Sequence, residues 1–264
     1  MLSTIDVVIP SLGRSSLNAS LESVFGQTLK PARVIVVDDS KSQDIRAQDF
    51  TFPVSVLKTG GRKGPSMARN LGVRNSTADW VALLDDDDRW SADHLELLNF
   101  FALNAFCDIA ISSAIVGGLI RPKAILDSSK HPLIQMYGDS SGRSTKLFLP
   151  TPGMLIKRKV FETVCFDESM NEREDLLFLA DVFSAGFRIS QSCNATALIS
   201  SHRLKSIRRT NLTNDLHWSE VLEEVEYGLG QNFLRGVGLR NSILRLEPLE
   251  TLKLIYRLLK TTPI

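Results

Sequence analysis

Short apolar runs alternate with amphipathic segments through roughly the first 115 residues of the chain. The apolar runs lie at 5–9, 33–37, 54–57, 79–84 and 107–112, and most are bounded by turn-forming residues, which is typical of buried strands. Helical spacing of apolar residues falls between them, from about residue 15 to before Pro31, at 66–74 and around 95–102. This alternation predicts βαβ units and a largely parallel sheet.

The pattern loosens beyond about residue 115. Segment 117–149 mixes glycine, proline, serine and basic residues without sustained periodicity, so it is predicted to form loops and short elements. A turn at 150–153, a short strand at 154–156 and a helix at about 172–185 follow, and the last 60 or so residues look mostly helical after a basic stretch. The fold class predicted is α/β, with a mostly parallel twisted sheet flanked by helices and a helical C-terminal region.

Composition narrows the classes of partner and the cellular compartment. The 264 residues carry 31 Lys and Arg against 30 Asp and Glu, a net charge of +1, so no overall field favours nucleic acid as a partner. Any polyanion must therefore be small and bound locally. The cysteines Cys107, Cys165 and Cys193 are odd in number and form no CxxC pair, which argues against a disulfide framework or a zinc site and favours a reducing cytoplasm.

Membrane contact is expected to be peripheral at most. No run approaches the roughly 18 apolar residues of a membrane span, and the N-terminus lacks the pattern of a secretory signal. Segment 249–260 is amphipathic and basic, so it either packs on the protein's own core or touches the inner face of a membrane. The expected location is therefore cytoplasmic or peripheral to that membrane. The sequence leaves the oligomeric state open.

Four consecutive aspartates, Asp85 to Asp88, follow directly on the predicted strand at 79–84. Ligands of open α/β sheets bind at the carboxyl ends of strands, where these side chains emerge. Like charges this close repel one another unless a cation neutralises them, and clustered oxygen ligands suit Mg²⁺ or Mn²⁺. The aspartate tetrad therefore indicates a metal site; the alternative is a solvated acidic turn that caps the next helix.

Two other acidic pairs lie at the ends of predicted elements. Asp38 and Asp39 follow the second strand, and Glu174 and Asp175 open the helix at about 172–185. Strand ends of one polarity gather along one edge of a parallel sheet, so the first pair is expected near the tetrad. The pair at 174–175 has an alternative interpretation, as acids that complement the positive end of a helix dipole.

Four motifs in this order and spacing resemble those of family 2 glycosyltransferases. They are Val8-Ile9-Pro10-Ser11, Val36-Val37-Asp38-Asp39-Ser40, Gly64-Pro65-Ser66-Met67-Ala68-Arg69-Asn70-Leu71-Gly72 and Ala82-Leu83-Leu84-Asp85-Asp86-Asp87-Asp88-Arg89-Trp90. Glu174-Asp175 also resembles the family's later acidic motif. The resemblance covers about residues 5 to 200.

The resemblance implies a GT-A fold and transfer of a sugar from a nucleotide diphosphate, with inversion at the anomeric carbon. It implies three regions: a nucleotide-sugar-binding region at 1–115, an acceptor-binding region at 116–200 and a mostly helical C-terminal region at 201–264. The implied donor-binding residues are Pro10, Ser11, Asp39, Arg69, Asp85, Asp86 and Asp87. The implied ligands of Mg²⁺ or Mn²⁺ are Asp85, Asp87 and Asp88, with His202 as a further candidate. Asp175 matches the catalytic base, and Glu174 beside it is expected to orient the site or bind acceptor.

The partners implied are a nucleotide-diphosphate sugar as donor and a glycan, lipid-linked or small-molecule acceptor, in the synthesis of a surface glycan or another glycoconjugate. The first loop, Ser11-Leu12-Gly13-Arg14, lacks the aromatic residue and Asn of many relatives, which leaves the donor's identity open. An isoprenyl diphosphate synthase also clusters aspartates, but on helices of an all-α fold. The second candidate function is a non-catalytic GT-A protein that binds nucleotide or serves as a scaffold.

Overall fold

The computed structural model of the protein describes residues 3–41, 44–51, 53–138, 145, 147–170, 172–200, 212–226 and 229–234. The strands are β1 (Ile5–Ser11), β2 (Arg33–Asp38), β3 (Ser55–Lys58), β4 (Trp80–Leu83), β5 (Arg89–Trp90), β6 (Ile109–Val116), β7 (Leu119–Arg121), β8 (Met154–Lys157) and β9 (Ile189–Ile199). The helices are α1 (Leu17–Phe25), α2 (Pro65–Arg74), α3 (His94–Asn104), α4 (Pro132–Tyr137), α5 (Glu174–Ser184), α6 (Leu212–Val225) and α7 (Leu229–Phe233).

Within these residues the strands form one sheet in the order β3-β2-β1-β4-β8-β6-β9-β5, and β7 pairs with β6. β1 pairs in parallel with β2 and β4, β2 with β3, and β6 with β9. β8 is antiparallel to both β4 and β6, so β4 and β6 point the same way. The carboxyl ends of β1, β2, β4 and β6 therefore lie along one edge of the sheet, and the predicted α/β class with a mostly parallel sheet is confirmed.

Helices cover both faces of the sheet. On one face, Leu21 of α1 and Leu98 of α3 belong to a core that includes Val7 and Ala82 of the central strands. On the other face, α2 lies so close to β1 that a Cβ at Gly72 would overlap the Val8 side chain. The residues of α5 lie on this second face as well, since Arg69 of α2 bonds to it. Neighbouring residues of each central strand thus face different helices, which explains why these strands are mostly apolar.

Three elements, β5, β6 and β9, depart from the sequence prediction. β6 continues four residues beyond the predicted end at 112, and β5 falls where no strand was expected, whereas β7 and α4 are short elements of the kind expected within 117–149. The longest unpredicted element is β9, whose buried polar residues hide the apolar pattern of a strand. Their polar groups are satisfied inside the sheet, as Gln191 Nε2 donates to the Phe148 carbonyl at 2.8 Å. Burial of a polar group costs little free energy when the group is hydrogen-bonded. The sheet therefore tolerates a strand whose sequence lacks the usual apolar pattern.

The chain divides into two compact units. One comprises residues 1–129 and 147–200 and contains the whole sheet; the other comprises 130–146 and 201–264. Tyr137 in the second unit stacks edge-on against Phe233, with ring centroids 5.4 Å apart. The regions 1–115, 116–200 and 201–264 stay a prediction. Segment 249–260 lies outside the described residues, and none of the helices described has the length and apolarity to cross a membrane.

Candidate active site

The side chains of the aspartate tetrad alternate between the protein interior and solvent. Asp86 and Asp88 are 2% and 1% exposed, whereas the side chains of Asp85 and Asp87 are 16% and 33% exposed. The Asp88 amide donates to the Asp85 carbonyl at 3.1 Å, so a turn follows β4 and points successive side chains in opposite directions. Asp85 and Asp87 are therefore the two acids of the tetrad that a ligand at the sheet edge can approach.

Asp86 holds the loop that follows β1. Its Oδ2 accepts from the Ser11 hydroxyl at 2.7 Å and the Leu12 amide at 3.1 Å, and its Oδ1 accepts from Arg14 Nη1 at 2.5 Å. Although partial burial acts to lower the pKa of Arg14, the charges of Asp86 and Asp87 raise it overall. Both carboxylate oxygens of Asp86 are thus engaged by the protein, and its role in donor binding stays a prediction.

Asp88 ties the tetrad to the end of β9. Its Oδ1 accepts from the Ser200 amide at 2.8 Å, and its carbonyl accepts from the Ser20 hydroxyl of α1 at 2.7 Å. The Asp88 carboxylate is thus buried, and its role as a metal ligand stays a prediction. His202, the other candidate ligand, lies outside the described residues.

Arg69 bridges the tetrad and the acidic pair at the start of α5. Its Nη2 donates to Asp85 Oδ1 at 2.9 Å and its Nη1 donates to Glu174 Oε1 at 2.7 Å. Burial acts to lower the pKa of Arg69, but the charges of Asp85 and Glu174 outweigh it and raise that pKa. The Arg69 side chain also lies over the Phe166 ring, 5.4 Å from its centroid. The guanidinium is held within the protein, so its contacts fix the distance between two acidic groups.

The acidic pair at the start of α5 is asymmetric. Glu174 is buried, which raises the pKa of its carboxyl against the lowering effect of Arg69. Asp175 is partly exposed; its Oδ2 accepts from the hydroxyl of buried Thr151 at 2.7 Å, and its Oδ1 accepts from the Leu176 amide at 2.9 Å. The carboxylate of Asp175 is therefore oriented by two donors while remaining open to solvent.

The turn that carries Thr151 is anchored on two sides. The carbonyl of Pro152 accepts from Trp90 Nε1 of β5 at 2.6 Å. Gly153 packs against β6 so closely that a Cβ there would lie 2.7 Å from Ser112 Oγ. Thr151 is thus placed rigidly between the strand that follows the tetrad and the start of α5.

Asp39 lies at the end of β2, beside the end of β1. Its amide donates to the Ser11 carbonyl at 2.8 Å, and Ser11 also bonds Asp86, so Ser11 joins the first two acidic clusters. The Asp39 carboxylate accepts from the amides of Lys63 and Gly64 at 2.7 and 2.9 Å and from the Thr59 hydroxyl. Pro10 lies in β1 beyond the residues paired with β4, where its missing N–H leaves no gap in that ladder.

The site offers metal ligands of one limited kind. Among the described residues, no group of three His, Cys, Asp or Glu side chains is arranged to hold a metal ion. Mg²⁺ is often bound through one or two carboxylates, with substrate phosphates supplying further oxygens. Asp85 and Asp87 fit that arrangement because both place hard oxygen ligands at the open end of β4.

The structure adds two polar residues to the site that the sequence did not single out for it. Thr151 was seen only as part of a Pro-Thr-Pro-Gly turn, and Arg14 only as a departure from the family's first loop. The sequence signal for Arg14 was a cation in the loop after the first strand, at the sheet edge where the four acids are also expected. For Thr151 the sequence offered none, because its partner Asp175 lies 24 positions away.

Comparisons with known proteins agree with this architecture. The family described as "Glycosyl transferase family 2" matches residues 6–165. The succinoglycan biosynthesis protein ExoW of Rhizobium meliloti (strain 1021) is 31% identical over 212 residues, which cover 71% of this chain and 66% of that protein. The Escherichia coli protein WfgD, named as a UDP-Glc:alpha-D-GlcNAc-diphosphoundecaprenol beta-1,3-glucosyltransferase, is 27% identical over 132 residues, 46% of this chain and 52% of WfgD.

Solved structures share the fold. Residues 1–349 of S. aureus TarS in complex with UDP-GlcNAc match with a TM-score of 0.67 at 16% identity, over 98% of this chain and 82% of that one. At this identity the likeness shows the fold alone. The chain spans about two thirds or less of the length of the curated relatives, since the shares of ExoW and of a Mycobacterium tuberculosis pre-mycofactocin glycosyltransferase are 66% and 40%.

Proposed function

The chain belongs to glycosyl transferase family 2, and from that premise we propose that it transfers a sugar from a nucleotide-diphosphate donor to an acceptor hydroxyl, with inversion. The observation that carries the proposal is the pair of hydrogen bonds that Arg69 donates, one to Asp85 and one to Glu174. It brings the tetrad, where a donor diphosphate would lie, next to Asp175, where an acceptor hydroxyl would lose its proton. A scaffolding protein has no need for an exposed carboxylate held beside a second acidic cluster.

The donor proposed is a UDP-sugar. TarS has been solved with UDP-GlcNAc, and WfgD is named for UDP-Glc, so a uridine diphosphate is the shared chemistry of a structural neighbour and a relative. In this chain the nucleotide would lie along the ends of β1 and β2, near Ser11 and Asp39. Arg14, partly exposed and close to Asp87, adds a cation that can face the diphosphate.

Asp85 and Asp87 are the residues that would hold Mg²⁺ or Mn²⁺ together with the donor's diphosphate. When bound, the ion neutralises charge that develops on the departing diphosphate. Arg69, which is buried and 2.9 Å from Asp85 Oδ1, keeps that carboxylate at a fixed position. Arg14 lies 3.6 Å from Asp87 Oδ2, which limits the repulsion between neighbouring acids before a donor arrives.

Asp175 is the proposed general base. An acceptor oxygen forms a bond to the anomeric carbon, the bond from that carbon to the diphosphate oxygen breaks, and the hydroxyl proton passes to the Asp175 carboxylate. Thr151 and the Leu176 amide hold that carboxylate in one orientation, as proton abstraction within hydrogen-bond reach requires. Glu174 is engaged by Arg69, so its proposed role is to position the site rather than to take the proton.

The acceptor proposed is an intermediate of polysaccharide synthesis that is linked to a lipid. ExoW is named for succinoglycan biosynthesis, and WfgD for a diphosphoundecaprenol-linked acceptor, which supports this class. A peripheral position at the inner face of a membrane suits such an acceptor and stays a prediction.

The test is a screen of UDP-, GDP- and dTDP-sugars with Mg²⁺ or Mn²⁺. We expect a UDP-sugar with metal to raise the melting temperature, and slow release of UDP by hydrolysis of the donor. Omission of metal should remove most of both effects. A melting temperature that no nucleotide sugar changes, together with no UDP release, would favour the non-catalytic scaffold.

A further inference from the structure

Four neighbouring strands carry a row of side chains at the sheet edge that holds the tetrad. In the register, Ile120 of β7 lies opposite Ile115 of β6, Ile115 opposite Leu198 of β9, and Leu198 opposite Arg89 of β5. Ile120 is 64% exposed and Leu198 is 37% exposed, with Ile115 half-buried between them. Three strand spacings of about 4.8 Å make this row about 14 Å long; we call it the acceptor row.

The acceptor row lies on the same face of the sheet as α2 and α5. The neighbours of its members, Ala114, Ala197 and Trp90, point into the core under α1 and α3. Because successive side chains of a strand alternate between faces, the row itself must point to the opposite face. That is the face on which α5 carries Asp175, the proposed base.

The row is continuous with the site. Arg89 follows the tetrad directly, and Asp88 bonds the Ser200 amide two residues beyond Leu198. Arg89 is exposed, and within the described chain its guanidinium has no carboxylate partner. The order along this surface is therefore the acidic site, then one available cation, then three aliphatic side chains.

We propose that this row binds the diphosphate and the first prenyl units of a lipid-linked acceptor, an inference that rests on the proposed glycosyl transfer. The acceptor's sugar would lie at Asp175, its diphosphate against Arg89, and its hydrocarbon chain along Leu198, Ile115 and Ile120. Charge supports this orientation, because Arg89 attracts the acceptor's diphosphate, while the tetrad is reserved for the metal ion and the donor's diphosphate. A continuous row of exposed aliphatic side chains is stabilised when an apolar ligand covers it, and a hydrocarbon chain covers it better than a sugar does.

Farnesyl diphosphate is the probe, with UDP and Mg²⁺ present to fill the donor site and inorganic diphosphate as the ligand that lacks a chain. We expect wild-type protein to bind farnesyl diphosphate at least ten times more tightly than inorganic diphosphate. Leu198→Asp and Ile120→Asp should each remove most of that difference in affinity. Arg89→Gln should weaken the binding of farnesyl diphosphate about tenfold. Phe100→Asp, at an exposed aromatic residue of α3, is the matched control and should bind as wild type does.

The outcomes separate this inference from the proposed function. If UDP binds and the donor is hydrolysed, but farnesyl diphosphate binds no better than inorganic diphosphate, the row is not a lipid site and the glycosyl transfer stands. If farnesyl diphosphate binds through the row while UDP does not bind, the donor assignment fails instead.

Sedimentation velocity tests whether a second copy of the protein occupies the row instead. If Leu198→Asp dissociates a dimer and leaves farnesyl diphosphate binding unchanged, the proposal is contradicted. Milder variants, Leu198→Ser and Ile120→Ser, keep the test valid if the aspartates unfold the protein.

Discussion

Arg69 Nη1 lies 2.7 Å from Glu174 Oε1, although 105 positions of sequence separate the two residues. The same guanidinium holds Asp85 through its other terminal nitrogen. Two acidic clusters that arise from different parts of the chain are thereby joined through one buried cation. A planar group with nitrogens directed to two sides suits this task, whereas a lysine ammonium is a point charge.

Replacing Arg69 with Met is expected to lower the free energy of unfolding by about 3 to 5 kcal/mol, because two carboxylates lose the cation that compensates them inside the protein. Arg69→Lys should recover only part of this loss, since one ammonium does not reproduce both bonds. Urea unfolding measures the difference. The control is Arg158→Met, at an exposed arginine 3.4 Å from Glu162, where we expect a change within about 0.5 kcal/mol. Equal effects at the two sites would contradict a bridging role.

Asp175→Asn should reduce sugar transfer at least a thousandfold and leave the dissociation constant of the donor nearly unchanged. The amide cannot accept a proton from an attacking hydroxyl, but its shape preserves the site. Single-turnover transfer and donor titration report the two quantities separately. Asp181→Asn, on the exposed side of the same helix, is the control and should transfer at the wild-type rate. Transfer by Asp175→Asn at that rate would show that the base lies elsewhere.

Asp86 and Asp87 are adjacent but should respond differently to substitution. Asp86→Ala removes the acceptor of three donors in the loop after β1, so we expect a stability loss of about 1 to 3 kcal/mol. Asp87→Ala should change stability little and weaken metal-dependent donor binding at least tenfold. Urea unfolding and donor titration with and without Mg²⁺ distinguish the two. The reverse assignment, with Asp86 as the metal acid, predicts the opposite pattern.

Thr151→Val removes the hydroxyl that donates to Asp175 while keeping the side chain's shape. We expect kcat to fall about tenfold with the donor KM unchanged, because the base loses orientation and no donor contact is lost. Thr151→Ser retains the hydroxyl and should recover most of kcat. A purely structural role for Thr151 predicts that both variants lose melting temperature and that the serine rescues nothing.

His94 gives the stability a pH dependence. Its buried ring stacks on Trp90, its Nδ1 lies 2.7 Å from the Thr196 hydroxyl, and burial lowers the pKa of its imidazole to about 3, against the opposing charge of Asp93. The unfolded chain binds a proton near pH 6.5 that the folded protein does not take up until about pH 3. The contribution of neutral His94 to the free energy of unfolding is therefore complete above pH 6.5. It is lost as the pH falls from 6.5 towards 3, by up to about 1.4 kcal/mol per pH unit.

The comparison of His94→Gln with wild type isolates this effect, since the other titrating groups are common to both. Between pH 7.5 and pH 5, wild type should lose about 2 kcal/mol more stability than the variant. Urea unfolding at the two pH values measures it. Parallel losses in the two proteins would mean that His94 is protonated in the folded state as well.

Most of the first half of the fold could be predicted from the sequence. The strands β1, β2 and β4 are mostly apolar runs because helices cover both of their faces, β3 is a short and partly exposed strand at the end of the sheet, and each of the four ends at a turn signal. The motifs around Asp39 and Asp85 also predicted which strand ends hold the candidate site. β9 escaped prediction because its polar residues are satisfied by partners such as the Phe148 carbonyl, 43 positions away.

The sequence by itself determined the α/β class, the family and the acidic clusters, since these depend on local periodicity and on motifs read along the chain. Only the tertiary structure decided which acids face outwards, that Arg69 joins Asp85 to Glu174, and that Ile120, Ile115 and Leu198 form a row ending at Arg89. The reason is physical. A side chain's exposure and partners depend on the packing of strands and helices distant in sequence, and one step of strand register moves every residue to the other face.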